Sequence, residues 1–156
     1  DGLRALLEDH SDIEVVGVAA DGLETVRKAR ERKPDVVVMD IAMPHLNGVE
    51  ATRRVLSDCP ECRVLILSQH ERSDLMLDAL WAGASGYLLK RDAGADLANG
   101  IRALHQWGAV FHPFAARTLL EAYRQCECGK RLDSYERSVE RGWIATNVSP
   151  IGNARS

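Results

Sequence analysis

The feature that most constrains this chain is a repeating alternation of short aliphatic runs with stretches of helical periodicity. Ile13 to Ala19, Asp35 to Asp40, Val64 to Leu67 and Gly86 to Leu89 are short and rich in β-branched or aliphatic residues, as strands are. The Val36-Val37-Val38-Met39 run is continuously apolar, the pattern of a strand covered on both faces. Between the runs, apolar residues recur at helical spacing. Helices are expected from Leu3 to about Asp9, from Asp21 to Lys33, from Val49 to Ser57, from Ser73 to Ala82 and from Ala95 to Trp107. Asp21 with Glu24 reads as a capping box, Pro34 stops the second helix, and Gly83 and Gly108 end two others. Strands alternating with helices through short loops imply an α/β fold with a parallel sheet between two helical layers.

The remaining sequence adds less order. Pro113 suits the first turn of a further helix, with Phe114, Leu119, Ala122 and Tyr123 as packing residues. From Gly129 to Ser156 the periodicity fades among Gly142, Asn147, Pro150, Gly152 and Asn153. A length of 156 residues fits one core. No apolar run approaches the roughly 18 residues that span a bilayer, and no basic-then-apolar leader opens the chain, so a cytoplasmic location without a membrane partner is the expectation. A net charge of -3 gives no electrostatic footprint for nucleic acid.

In open parallel sheets, reactive groups lie beyond the carboxyl ends of the strands. Asp40, Ser68 and Lys90 each follow one of the aliphatic runs, so neighbouring strands would bring all three to one edge. A carboxylate, a hydroxyl and an ammonium converging there suit an acyl-phosphate site. The carboxylate attacks phosphorus, the ammonium neutralises phosphoryl charge and the hydroxyl bonds a phosphoryl oxygen.

With those residues in view, the segment from Val36 to Glu50, including Asp40, Met43-Pro44 and Asn47-Gly48, closely resembles the phosphoacceptor region of response-regulator receiver domains. Leu65-Ile66-Leu67-Ser68 is similar to the strand carrying their switch hydroxyl. Gly83 to Lys90 is similar to the segment carrying the switch aromatic, here Tyr87, and the lysine. The wording of these segments and the helix after His112-Pro113 look most like the NarL/FixJ (LuxR-type) regulators. The resemblance implies a flavodoxin-like, CheY-like doubly wound sheet with an added C-terminal helix. Residues 1–110 would form the receiver domain, 111–128 a linker helix and 129–156 an irregular tail.

The same resemblance implies that Asp40 accepts a phosphoryl group from a sensor histidine kinase, with Lys90 on the phosphoryl oxygens. Ser68 is drawn toward the phosphoryl group and Tyr87 changes rotamer to follow it. The chain is then a two-component signalling switch and not an enzyme, and a homodimer is open to it. Two departures stand against the pattern. The family's first strand, which ends in two acidic magnesium ligands, has no counterpart, so the sheet is expected to be N-terminally incomplete. Mg2+ would then rest on Asp40 and the Ala42 backbone carbonyl alone, a weak set. The 28 residues from Gly129 are also too few for a helix-turn-helix module, and DNA binding is not expected of this chain alone.

Blander readings compete. A lone strand-end aspartate is ordinarily a cap, serine and lysine there are ordinarily solvated, and a strand tyrosine ordinarily packs. Joint placement argues for the sharper reading of Asp40, Ser68 and Lys90. A pseudo-receiver that binds a partner without phosphorylation is the alternative, because the acidic pair is missing. A haloacid-dehalogenase-type hydrolase would need an aspartate where Ala42 stands. Cys59 and Cys62 could join Cys126 and Cys128 around zinc, but the first pair occupies an ordinary helix-to-strand loop, and a single residue between the second two is unusual.

Overall fold

The structure, a computed structural model, describes residues 2–41 and 47–125. The aliphatic runs form a parallel sheet in the order β1-β2-β3-β4, with β1 Val36–Asp40, β2 Arg63–Ser68, β3 Gly86–Leu89 and β4 Val110–Phe111. Around it lie α1 Gly2–Glu8, α2 Gly22–Arg32, α3 Gly48–Asp58, α4 Ser73–Trp81, α5 Ala93–Trp107 and α6 Pro113–Gln125, with a 3-10 turn at Lys90–Asp92. Helix α3 packs against α2 and α4, and α1 packs against α5, giving two helical layers. The parallel, doubly wound arrangement expected from the strand-helix alternation is therefore present.

Side-chain alternation along the strands divides the core between these layers. Leu65 and Leu67 of β2 join Leu88 of β3 and Leu97 and Leu104 of α5 in one buried cluster that also takes in Leu7 of α1. The intervening Val64 and Ile66 are fully buried too, which is why β2 carries no polar residue between Arg63 and Ser68. Register aligns Met39, Ile66, Tyr87 and Phe111 across the sheet, and Val38, Leu65, Gly86 and Val110 one step earlier.

Local signals close the helices. At α2, Asp21 accepts from Glu24 N at 2.9 Å, while the Glu24 carboxylate reaches back to Ala20 N at 2.8 Å, one residue earlier than in the usual reciprocal box. Asn47 caps α3 by accepting from Glu50 N at 2.9 Å. Helix α5 ends at Gly108, whose φ of 87° lies in the left-handed region and whose hydrogen leaves room for Arg63 Nη1. That guanidinium donates to Leu104 O at 2.7 Å, placing a cation on the carboxyl end of the helix.

Two expectations change, and one unexpected element is present. Ile13 to Ala19 is not a strand: no described residue pairs with it, and the carbonyls of Val16 and Val18 instead accept from the Arg32 and Lys28 side chains of α2. Strand propensity without a neighbouring strand leaves the backbone to whatever donors are near. Val110–Phe111 forms a two-residue strand that no run of apolar residues announces. Helix α5 begins at Ala93, because the turn at Lys90–Asp92 leads directly into it.

The chain divides into two compact units, residues 1–116 and 117–156. The first contains the whole sheet. In the second, the described residues 117–125 continue α6, where Leu120 and Tyr123 are exposed. The tail expected from Gly129 lies outside the described residues, as does Ala42.

Candidate functional site

Asp40 is the last residue of β1 and pairs in register with Leu67, so Ser68 stands one residue further along the same edge. Ser68 in turn pairs with Leu89, and Lys90 follows it. The staggered register thus carries three strand-terminal polar residues to one end of the sheet, as the sequence predicts. Lys90 Nζ donates to Asp40 Oδ2, and both side chains remain partly exposed. The carboxylate is therefore reached by solvent and not sealed in the core.

Ser68 is differently placed. It is buried, and its hydroxyl donates to His70 O at 2.9 Å while accepting from His70 N at 3.2 Å. Both bonds hold the first turn of the loop after β2 in place. A hydroxyl that moved to a phosphoryl oxygen would release that loop. The loop has one further tie to the neighbouring strand end, Arg91 Nη2 to Glu71 Oε1 at 2.7 Å.

Tyr87 is fully buried, on the same face of the sheet as Ser68 by strand alternation. Burial pushes its phenol upward, and the neighbouring Ser68 hydroxyl offsets part of that rise. Proximity does not become a hydrogen bond of proper geometry: the Tyr87 hydroxyl has no partner among the described residues. Ser68 spends its bonds on His70 instead.

Gly48 contributes something the residue types alone do not reveal. A Cβ there would lie 2.7 Å from both Asp40 O and Ile41 Cα, and Gly48 N donates to Ile41 O at 3.2 Å. The start of α3 is thus pressed directly on the backbone that carries Asp40. Thr52, fully buried, secures the same turn by donating to Gly48 O at 2.6 Å. The Asn47-Gly48 pair signals a turn in the sequence, but the close approach to Asp40 is tertiary.

Among the described residues the strand ends supply one carboxylate toward a cation, Asp40. Magnesium takes one or two carboxylates with phosphate oxygens and water. Asp40 is the one carboxylate the described strand ends bring together, and it is engaged by Lys90. Among the described residues no group of three His, Cys, Asp or Glu side chains converges. Ala42, the other expected ligand, lies outside them.

Cys59 and Cys62 are buried free thiols in the turn that follows α3, where Cys62 N donates to Cys59 O at 3.1 Å. Burial raises both thiols, Cys62 to about 12. Cys126 and Cys128 lie outside the described residues, so the four-thiolate arrangement does too. No helix among the described residues is long and apolar enough to cross a membrane.

Comparison with known proteins agrees with this geometry. A model of the response regulator receiver domain matches residues 1–102. The transcriptional regulatory protein LnrK of Bacillus subtilis is 35% identical over 140 residues, 90% of this chain and 64% of LnrK. The transcriptional regulatory protein DegU of Brevibacillus brevis is 38% identical over 125 residues, 80% of this chain and 53% of DegU. The chain therefore spans between half and two-thirds of the length of these relatives. Among solved structures, a LuxR-family two-component response regulator from Aurantimonas sp. superposes with a TM-score of 0.72 at 38% identity, covering 80% of this chain and 89% of that one.

Proposed function

This chain belongs to the response regulator receiver-domain family of two-component systems, with relatives of the NarL/LuxR type, and from that premise we propose that it is a switch whose Asp40 accepts a phosphoryl group from a sensor histidine kinase. The observation that carries this reading is the convergence of Asp40, Lys90 and Ser68 at one carboxyl edge of a parallel sheet. An Asp40 carboxylate oxygen attacks phosphorus. The bond from phosphorus to the donor breaks, and the donor's leaving group departs with the electron pair. Lys90, already against the carboxylate, offsets charge on the phosphoryl oxygens.

The product places about -1.5 to -2 charges and new acceptor oxygens beside Ser68. Turning the Ser68 hydroxyl toward them exchanges its two bonds with His70 for one to the phosphoryl group. Tyr87 already lies inside the fold, so phosphorylation favours this placement and does not create it. Moving an equilibrium from 1:99 to 99:1 needs about 5.5 kcal/mol, more than one lysine contact and one hydroxyl supply, so the response is a partial population shift. Control of transcription by a complete regulator extends this proposal to the parts of the relatives that the chain does not match.

A second reading has its own support. Asp40 gains no companion carboxylate from the described strand ends, and it would hold magnesium weakly; a receiver that binds a partner without being phosphorylated fits that donor set. Incubation with acetyl phosphate, with and without Mg2+, followed by peptide mapping of the modified residue, separates the two. Labelling at Asp40 that is lost in Asp40→Asn supports the phosphorylated switch. Absence of labelling in a folded chain selects the binding module.

A further inference from the structure

Three consecutive residues of one short turn reach three different parts of the fold. In the 3-10 turn Lys90–Asp92, Lys90 Nζ donates to Asp40 Oδ2 and Arg91 Nη2 donates to Glu71 Oε1 in the loop after β2. Asp92 Oδ2 lies 3.2 Å from His112 Nε2. The turn runs from the fully buried Leu89 of β3 to the buried Ala93 of α5, so both of its ends are held.

Asp92 immediately precedes α5, where an aspartate ordinarily has extended backbone angles and accepts from an N–H of the first turn. Here φ is -99° and ψ is -4°, helical angles set by the 3-10 turn it closes, and its side chain makes no capping bond to α5. The carboxylate faces His112 instead. A strong capping residue thus forgoes its own helix while it engages another element.

His112 holds the start of α6. Its backbone N donates to Tyr87 O at 2.8 Å, prolonging the ladder on β3, and its O accepts from Ala116 N at 3.0 Å, the first bond of the helix. Nδ1 accepts from Phe114 N at 3.1 Å, a cap on the first N–H that follows Pro113. An Nδ1 that accepts carries no proton, so the ring's proton sits on Nε2, the nitrogen beside Asp92. The Asp92 carboxylate therefore favours the tautomer that caps α6.

We propose that Asp92 exchanges between two partners, His112 and the N-terminus of α5, and that the position of Lys90 selects between them. With Lys90 on the Asp40 carboxylate the 3-10 turn is wound, and Asp92 holds His112 and the cap of α6. Once Lys90 is drawn onto a phosphoryl group, the turn unwinds and Asp92 takes the extended angles of a cap. Its carboxylate then accepts from Gly94 or Ala95 N, and the His112 ring is released. Two discrete arrangements of one residue convert a small displacement into a switch. The trigger rests on the reading of Asp40 as a phosphoacceptor. The exchange itself does not, because removing the Lys90 ammonium also frees the turn.

The test uses the full chain labelled with 15N. Long-range NMR correlation across the imidazole reads which nitrogen of His112 carries the proton. Amide exchange with solvent is compared at Phe114 in α6 and Ala95 in α5, with Leu65 of the buried strand as the folding reference. In Lys90→Met, Phe114 should exchange about fivefold faster and Ala95 about fivefold slower, the size of one cap lost and one gained, and His112 should lose its fixed tautomer. A general loosening would speed both amides; that result, or no change at either, overturns the proposal. If Lys90→Met leaves Leu65 unprotected, Asp40→Ala frees Lys90 from the other end and should give the same opposed changes. Asp92→Ala should speed Phe114, and adding Lys90→Met to it should change neither amide further; a further change would show that Lys90 acts by another route and overturn the proposal. A His112 proton on Nδ1 in the unaltered chain would overturn it outright. Acetyl phosphate with Mg2+ separates trigger from exchange. A chain labelled at Asp40 should repeat the Lys90→Met changes, and labelling without them overturns the proposal; if Asp40 takes no label, the phosphoacceptor reading fails and the variants alone decide the exchange.

Discussion

Lys90 Nζ donates to Asp40 Oδ2 across the end of β2, joining the termini of two strands, β1 and β3, that are not neighbours in the sheet. The pair is partly exposed, at 30% for Lys90 and 29% for Asp40. Water therefore screens it, and its loss should reduce stability by less than about 1 kcal/mol. Its chemical contribution is expected to be larger, because charge on the transferring phosphoryl group has no comparable cation in Lys90→Met. That variant should retain its urea midpoint within the error of a small surface change, while acetyl phosphate labels Asp40 at least about tenfold more slowly, equivalent to about 1.4 kcal/mol in the barrier. Labelling at the unaltered rate would remove Lys90 from the proposed chemistry.

Gly48 tests how tightly the backbone of Asp40 is held. A methyl group at this position meets backbone atoms on both Asp40 and Ile41 at 2.7 Å, and neither is the far end of a flexible side chain. Gly48→Ala should therefore destabilise the chain by about 1–3 kcal/mol, the range for overpacking at a rigid contact, despite alanine's better helix propensity at the start of α3. Urea unfolding measures the difference. A stabilised Gly48→Ala chain would show that α3 moves away from β1 without penalty.

The hydroxyl of Tyr87 is buried without a hydrogen bond among the described residues, and the whole side chain is removed from solvent. Removing an unsatisfied buried polar group relieves a penalty of about 1–3 kcal/mol, so Tyr87→Phe is expected to be neutral or stabilising. Tyr87→Ala should cost about 3–5 kcal/mol through the cavity it leaves. Thermal or urea unfolding of both variants checks the contrast. A loss above about 1 kcal/mol in Tyr87→Phe would show that Ser68 does bond the phenol.

Much of this site is written in local sequence, and what is not has identifiable causes. Asp40, Ser68 and Lys90 are legible because an aliphatic run that ends abruptly in a polar residue marks a strand terminus, and parallel register then sets their common edge. Ile13 to Ala19 misleads for the opposite reason: its residues favour a strand, but a strand exists only with a partner, and none is described beside it. Val110–Phe111 is too short for any period to register, and only the exposed edge of β3 makes it a strand. The inward placement of Tyr87 depends on contacts between residues far apart in the chain, and the pressure of Gly48 on Asp40 O on the path of the loop that folds α3 back onto β1.

The buried cysteines offer a test of the loop between α3 and β2. With Cys62 raised to about 12, about one thiol in 10^4 is ionised at pH 8, and burial blocks access as well. Iodoacetamide should modify Cys59 and Cys62 at least about a hundredfold more slowly in the folded chain than in urea, as measured by peptide mapping of each site. Rapid alkylation of either under native conditions would show that this turn opens readily.

A carboxylate remote from the site provides the pH-dependent test. Arg102 of α5 donates from Nε to Asp12 Oδ2 at 2.6 Å and from Nη2 to Asp12 Oδ1 at 2.9 Å, tying the segment after α1 to α5. The guanidinium lowers Asp12 from the ordinary 3.8 to about 2. Because the folded value lies below the unfolded one, the contribution of this pair is complete above about pH 4. It declines as pH falls through the interval toward 2, where the folded state must also take up the proton. In the carboxyl NMR spectrum Asp12 should titrate near 2, and Arg102→Met should return it toward 3.8 and flatten the acid dependence of stability in that interval. The exposed setting keeps the effect on stability at neutral pH small, so the titration itself is the discriminating measurement. An Asp12 that titrates near 3.8 in the unaltered chain would mean that the bidentate pair is not formed in solution.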